Sequence, residues 1–308
     1  MPMIACLAGG VGGAKLVYGL ARVLGQEQLT VIVNTADDLV MHGLYICPDL
    51  DTITYTLAGV ADPKTGWGIE GDTFHLLGRL EELGRPSWFR LGDRDMATHL
   101  VRTELLGQGM RLTQVTAYLA KVQGVRATLL PMTDQPVATY VTTEEGEFAF
   151  QDYFVRLSAR GEVKAVRFAG IEEARPTPEV MAAVKEASAI ILCPSNPVVS
   201  ILPILSLKDL RPAIREAKAL KLSVSPIIAG KALRGPAAQM MKGLNYEASA
   251  FGVASFYRDL LGLFVCDERD KEQKERIEAF GVKVILANTI METAADKEAL
   301  ARTLLSYL

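Results

Sequence analysis

The sequence lacks an excess of positive charge: 33 Lys and Arg stand against 36 Asp and Glu, a formal net charge of -3. No global field exists to hold a polyanion, so nucleic acid is not expected as a partner. It also lacks paired cysteines. The four it has (Cys6, Cys47, Cys193 and Cys266) are far apart, with no Cys-x-x-Cys. Three lie in or beside apolar runs, which suits a reduced, cytoplasmic protein. No apolar stretch approaches the roughly 18 residues a spanning helix needs, and no basic segment precedes Met3–Ala8, so neither secretion nor membrane insertion is expected. Repeats, low-complexity tracts and interdomain linkers are missing as well. With 49% hydrophobic residues in 308, residues 1–308 are expected to form a single domain around one large core.

What is present is a series of short apolar runs: Met3–Ala8, Leu29–Asn34, Ala189–Cys193, Leu222–Ile228, Gly262–Cys266 and Val282–Ala287. Each adjoins a helix-like segment. Strands buried on both faces and alternating with helices imply an α/β fold with a doubly wound, mainly parallel sheet. Residues 73–123 change to helical spacing, which predicts a helical insertion. Residues 137–155 alternate around Glu144-Glu145-Gly146 and predict a small β-hairpin element. Ligands of such sheets bind beyond the carboxyl ends of the strands, so the residues after each run are the ones to inspect.

The first run ends in Gly9-Gly10-Val11-Gly12-Gly13-Ala14-Lys15 and leads straight into a helical segment. Glycines permit close backbone approach, and a helix start offers N–H groups to an anion, so Gly10, Gly12, Gly13 and Lys15 are candidates for a phosphate site. The loop is neither a Walker A motif nor G-x-G-x-x-G, because Lys15 follows Ala14, precedes Leu16 and stands where a third glycine belongs. An NAD-dependent oxidoreductase is therefore disfavoured. A plain tight turn is the alternative.

The second run leads to Asp37 and Asp38, and Asp49 and Asp51 follow within 15 residues. Carboxylates this dense need cations or donors, and a hard divalent ion such as Mg²⁺ would supply the charge; helix caps and turns are the competing roles. His42 is a candidate general base, with a structural role beside Gly43 as the alternative. Arg94, in Leu91-Gly92-Asp93-Arg94-Asp95, is a candidate phosphate ligand, and Asp95 is expected as the N-cap of the helix that carries His99. Ser195 and Asn196 follow the Ala189–Cys193 run. Lys231 and Arg234 follow Leu222–Ile228 among glycines and suit a diphosphate. These loops should all open onto one sheet edge.

The glycine loop, Asn34-Thr35-Ala36-Asp37-Asp38, the block from His42 to Thr52, Gly92-Asp93-Arg94-Asp95, Ser195-Asn196-Pro197 and Ser225 to Lys231 together resemble the 2-phospho-L-lactate transferase family, including its bacterial phosphoenolpyruvate transferases. The resemblance spans residues 3 to about 290. It implies a Rossmann-like core, a homodimer and Mg²⁺ dependence. The implied reaction moves phospholactate or phosphoenolpyruvate from a guanosine diphospho conjugate to the ribityl hydroxyl of the deazaflavin Fo, releasing GMP, in coenzyme F-420 biosynthesis. Carried over by position, Asp37 and Asp51, then Asp49, are the expected metal ligands. Ser195, Asn196 and Lys231 would surround the guanosine nucleotide, and Asp38, His42 and Thr52 are candidates for the deazaflavin side. A regulatory nucleotide-sugar-binding protein of the gluconeogenesis factor type is the second hypothesis. That family follows its two Asp with Gly-Gly-Ser, whereas Asp38 here precedes Leu39-Val40-Met41-His42.

Overall fold

The computed structural model describes residues 3–232 and 235–308. In chain order the elements are β1 (Ile4–Ala8), α1 (Gly10–Leu24), β2 (Leu29–Val33), β3 (Leu39–Met41), β4 (Leu44–Ile46), α2 (Pro48–Ala58), α3 (His75–Glu82), α4 (Asp93–Gly107), α5 (Leu112–Val122) and β5 (Thr128–Pro131). There follow β6 (Ala138–Thr143), β7 (Gly146–Ala149), β8 (Ala165–Ala169), α6 (Pro178–Glu186), β9 (Ala189–Leu192), α7 (Leu202–Ser206), α8 (Leu210–Glu216) and β10 (Leu220–Val224). The chain closes with β11 (Ile227–Ile228), β12 (Lys231–Ala232), α9 (Ala237–Gly243), α10 (Ala250–Tyr257), β13 (Leu263–Asp267), α11 (Lys274–Glu278), β14 (Lys283–Ala287) and α12 (Ala294–Leu305).

Seven strands form one sheet in the order β14-β13-β10-β9-β1-β2-β5, and every pairing in it is parallel. Alternate residues of a strand face opposite sides. Ile4, Cys6 and Ala8 join one core layer with Leu16 and Leu20 of α1, Ile53 of α2 and Leu304 of α12. Ala5 and Leu7 join the other, with Val184 of α6, Ile214 of α8, Met240 of α9 and Val253 of α10. Covering both faces is why the strands read as unbroken apolar runs.

Two expectations need correcting. The run Leu222–Ile228 is not one strand: β10 ends at Val224, the Ser225 hydroxyl accepts from the Ile227 N–H at 3.1 Å, and Ile227–Ile228 turn away to pair antiparallel with Lys231–Ala232. Pro226 has no N–H to continue a ladder. The edge strand β5, pairing with β2, was not singled out by its pattern, since only four residues precede the break after Pro131.

Residues 73–123 hold α3, α4 and α5, and residues 137–155 hold the β6–β7 hairpin, to which β8 adds a third antiparallel strand. The β3–β4 hairpin packs its Met41 and Ile46 against Leu91 and Met96. This small third core places the start of α4 over the carboxyl ends of the sheet.

Candidate functional site

Strand order reverses between β1 and β9: the chain leaves β1 outward to β2 and β5, and later continues from β9 outward to β10, β13 and β14. The loops after these two strands splay apart and leave a crevice. Here they are tied together, because the Gly9 N–H donates to Ser195 Oγ at 3.1 Å. The Gly10 N–H, at the start of α1, donates to Asp49 Oδ1 at 2.7 Å, and Asn34 Nδ2 donates to Asp49 Oδ2 at 3.0 Å. A Cβ at Gly12 would collide with the Pro194 carbonyl, and one at Gly13 with Ser195 Oγ. These glycines are thus required by the approach of the two loops. A cleft of about 570 Å³ opens above them.

Three carboxylates crowd one side. Asp37 is buried, and its Oδ1 meets no hydrogen-bond donor among the described residues. Burial first, and then the Asp49 charge, push its carboxyl well above the usual carboxylate range. Burial likewise raises Asp49 to about 6, offset in part by the donors from Asn34 and Gly10. Asp38 is raised chiefly by burial, and neither of its oxygens finds a donor of good geometry, although the Cys47 thiol lies beside it. Carboxylates held in this way accumulate repulsion that a cation would relieve.

A second polar cluster joins α2 to α4. Asp51 and Tyr55 are one helical turn apart on α2, and Asp95, His99 and Arg102 lie at i, i+4 and i+7 on α4. All five are buried. Arg102 grips Asp51 with both terminal nitrogens, Nη1 to Oδ2 at 3.1 Å and Nη2 to Oδ1, and it also donates through Nη1 to His99 Nδ1 at 3.0 Å. The Tyr55 hydroxyl donates to Asp95 Oδ1 at 2.7 Å. His99 Nε2 stands 3.3 Å from the same oxygen. Asp51, Asp95 and His99 also offer ligand atoms within 4.8 Å of one another. Asp95 is not the N-cap expected of it. Gly92 takes that place, and Asp95 sits inside the first turn, where it serves Tyr55.

Of the residues singled out from sequence, Gly10, Gly12, Lys15, Asp37, Asp49, Asp51, Thr52, Ser195 and Asn196 line the cleft. Among the described residues Gly13, Asp38, His42, Arg94 and Lys231 do not. Gly13 packs beneath the loop, His42 occupies the β3–β4 turn with φ 55°, and Arg94 and Lys231 are exposed. Arg234 lies outside the described residues. The individual wall residues were not singled out from sequence, although residues 73–123 supply three of them. Trp67, Trp88, Phe89 and Arg90 line one side, and Phe150 and Phe154, stacked with centroids 5.5 Å apart, line another. Gln151 between the last two donates to the Asp37 carbonyl at 3.2 Å and fixes that wall against the carboxylates. The spacing of Asp95, His99 and Arg102 was a signal for the buried cluster; nothing local marks the aromatic walls.

Known proteins resemble the chain over nearly its whole length. The model of the family described as 2-phospho-L-lactate transferase CofD matches residues 4–302. A 2-phospho-L-lactate transferase of Methanosarcina mazei is 41% identical over 294 residues, 96% of each chain. One of Methanothermobacter thermautotrophicus is 40% identical over 306 residues, 99% of this chain and 98% of its own. A phosphoenolpyruvate transferase of Kitasatospora aureofaciens is 41% identical over 310 residues, 98% of this chain and 97% of its own. Among solved structures, a UPF0052 family protein of Bacillus halodurans shares the fold with a TM-score of 0.64 at 17% identity, over 99% of this chain and 98% of that one.

Proposed function

The chain belongs to the 2-phospho-L-lactate transferase family, and on that footing we propose that it moves a phospholactyl or phosphoenolpyruvyl group from a guanosine diphospho conjugate to the ribityl hydroxyl of the deazaflavin Fo, releasing GMP in coenzyme F-420 biosynthesis. The observation that carries this reading is the composition of one cleft. A helix start and a carboxylate group lie at its floor, and wide aromatic walls rise above them. Such a floor suits a diphosphate with a metal ion, and such walls suit a flat ring system.

The residues fit Mg²⁺. Asp37 offers an unpartnered buried oxygen, and its repulsion with Asp49 is what a divalent ion relieves. Asp37 and Asp49 are the proposed ligands. Asp51 is left out, because the buried Arg102 guanidinium already neutralises its charge through both oxygens, whereas Asp49 accepts only from the neutral donors of Gly10 and Asn34. When bound, the ion would supply electrostatic stabilisation of charge on the diphosphate. Around it Lys15 is proposed for phosphate charge, Ser195 and Asn196 for the guanosine side, and Thr52 for the deazaflavin. Asp38, His42, Arg94 and Lys231 receive no contact with the reacting groups, since they stand outside the cleft lining. No helix among the described residues is long and apolar enough to cross a membrane. A cytoplasmic homodimer completes the proposal.

The apolar wall beside the phosphate floor would exclude water, so that the donor meets the alcohol rather than hydrolysis. Mass spectrometry of the products with each donor offered in turn tests the reading. It expects a deazaflavin phosphodiester with at least one donor. No product with either donor, together with tight binding of a nucleotide sugar, would replace it by the regulatory hypothesis.

A further inference from the structure

Phosphoryl transfer to an alcohol needs a place for the hydroxyl proton. We propose that Asp95 Oδ2 receives that proton, and that Arg102, His99 and Tyr55 are positioning residues that hold Asp95 ready for it. The inference rests on the transfer reaction proposed above.

Geometry reduces the candidates. Lys15, Asp37, Asp49, Asp51, Asp95 and His99 are the lining groups to weigh. Lys15 as an ammonium has no lone pair. Asp37 and Asp49 are the proposed metal ligands, and the Asp51 charge is paired through both oxygens with Arg102. Arg102 is a donor only, so the Nδ1 facing it must accept, which puts the imidazole proton on Nε2 and leaves His99 without a free lone pair. That Nε2–H faces Asp95 Oδ1, although off the line of a well-formed bond. The Tyr55 hydroxyl meets the same oxygen. Both contacts fall on Oδ1, so Oδ2 remains for a ligand in the cleft that Asp95 lines.

The step balances. The acceptor oxygen forms a bond to phosphorus, the bond from phosphorus to the GMP oxygen breaks with its electron pair leaving on GMP, and the hydroxyl proton moves to Asp95 Oδ2. Release of that proton to solvent restores the carboxylate. Arg102 thus fixes the His99 tautomer, and the Tyr55 hydroxyl holds Asp95 through Oδ1.

Three variants test it in the presence of Mg²⁺, Fo and the active donor. Asp95→Asn should lower kcat by roughly 100-fold or more, the scale of general-base catalysis, with the Kd for Fo within about threefold. In Asp95→Ala, added formate should restore turnover saturably, which a purely structural role would not produce. Tyr55→Phe should lower kcat by about tenfold with Kd unchanged, and it serves as the test if Asp95 variants fail to fold. Retention of kcat within about threefold in Asp95→Asn, or a loss lying wholly in Kd, overturns the inference. So does absent formate rescue, or an unaltered Tyr55→Phe when the Asp95 variants do not fold. Wild-type protein that forms no phosphodiester refutes the transfer reading instead, and the inference falls with it.

Discussion

Replacing Arg102 with methionine should be far more damaging than replacing it together with its partner. Arg102 is 3% exposed and Asp51 6%, and the two share a two-point ion pair far from bulk screening. Removing only the cation leaves a buried carboxylate without compensation, at about 3–5 kcal/mol. The same substitution strips His99 Nδ1 of its donor. With an unfolding entropy near 2.1 cal/mol/K per residue, a chain of this length should lose roughly 5–8 °C in Tm. Arg102→Met with Asp51→Asn should recover much of that loss, because no buried charge is then stranded. Thermal unfolding of the two single variants and the double variant, followed by circular dichroism, gives the coupling directly. A drop below about 2 °C for Arg102→Met, or a double variant that is simply the sum of the singles, would refute the ion pair as the tie between α2 and α4.

Asp37→Asn should abolish turnover while leaving the metal-free Tm unchanged or higher, since the amide removes a repelling charge and Asp37 Oδ1 has no donor to lose; a drop of several degrees would contradict this. Asp49 titrates near 6 in the folded protein, above the unfolded value of about 3.9, so the folded state holds the proton more firmly. Its contribution to stability is therefore full below about pH 4 and lost as pH rises through about 6, and the Tm gain from Mg²⁺ should be larger at pH 7.5 than at pH 5; equal gains would remove Asp49 from the metal site. Gly12→Ala drives a methyl into the Pro194 carbonyl, and should cost on the order of 1–3 kcal/mol and most nucleotide affinity; calorimetry showing wild-type affinity would contradict the close packing of the two loops.

Central strands were legible because burial on both faces leaves unbroken apolar runs, as in Ile4–Ala8 and Ala189–Leu192. β5 and the β3–β4 hairpin were not, being too short for a period to show. The floor of the cleft was legible from glycines and carboxylates at strand ends. The identity of its wall residues was not, because Trp67, Trp88 and Phe150 come from three separate segments that only tertiary packing brings together. Lys231 shows how tertiary context alters a local reading: the turn at Ser225-Pro226 redirects the chain into the β11–β12 hairpin, where that lysine is exposed. Asp95 read as a cap because aspartate at a helix start usually is one, and only the position of Tyr55 on a neighbouring helix revealed its partner.

The most direct test of transfer is stoichiometry. Protein, Mg²⁺, Fo and a guanosine diphospho conjugate are mixed, and GMP and the deazaflavin phosphodiester are quantified together by chromatography with mass detection. Transfer in a water-excluding cleft predicts equal amounts of the two products and no GMP when Fo is omitted. GMP released equally fast without Fo would make the protein a hydrolase and contradict the account.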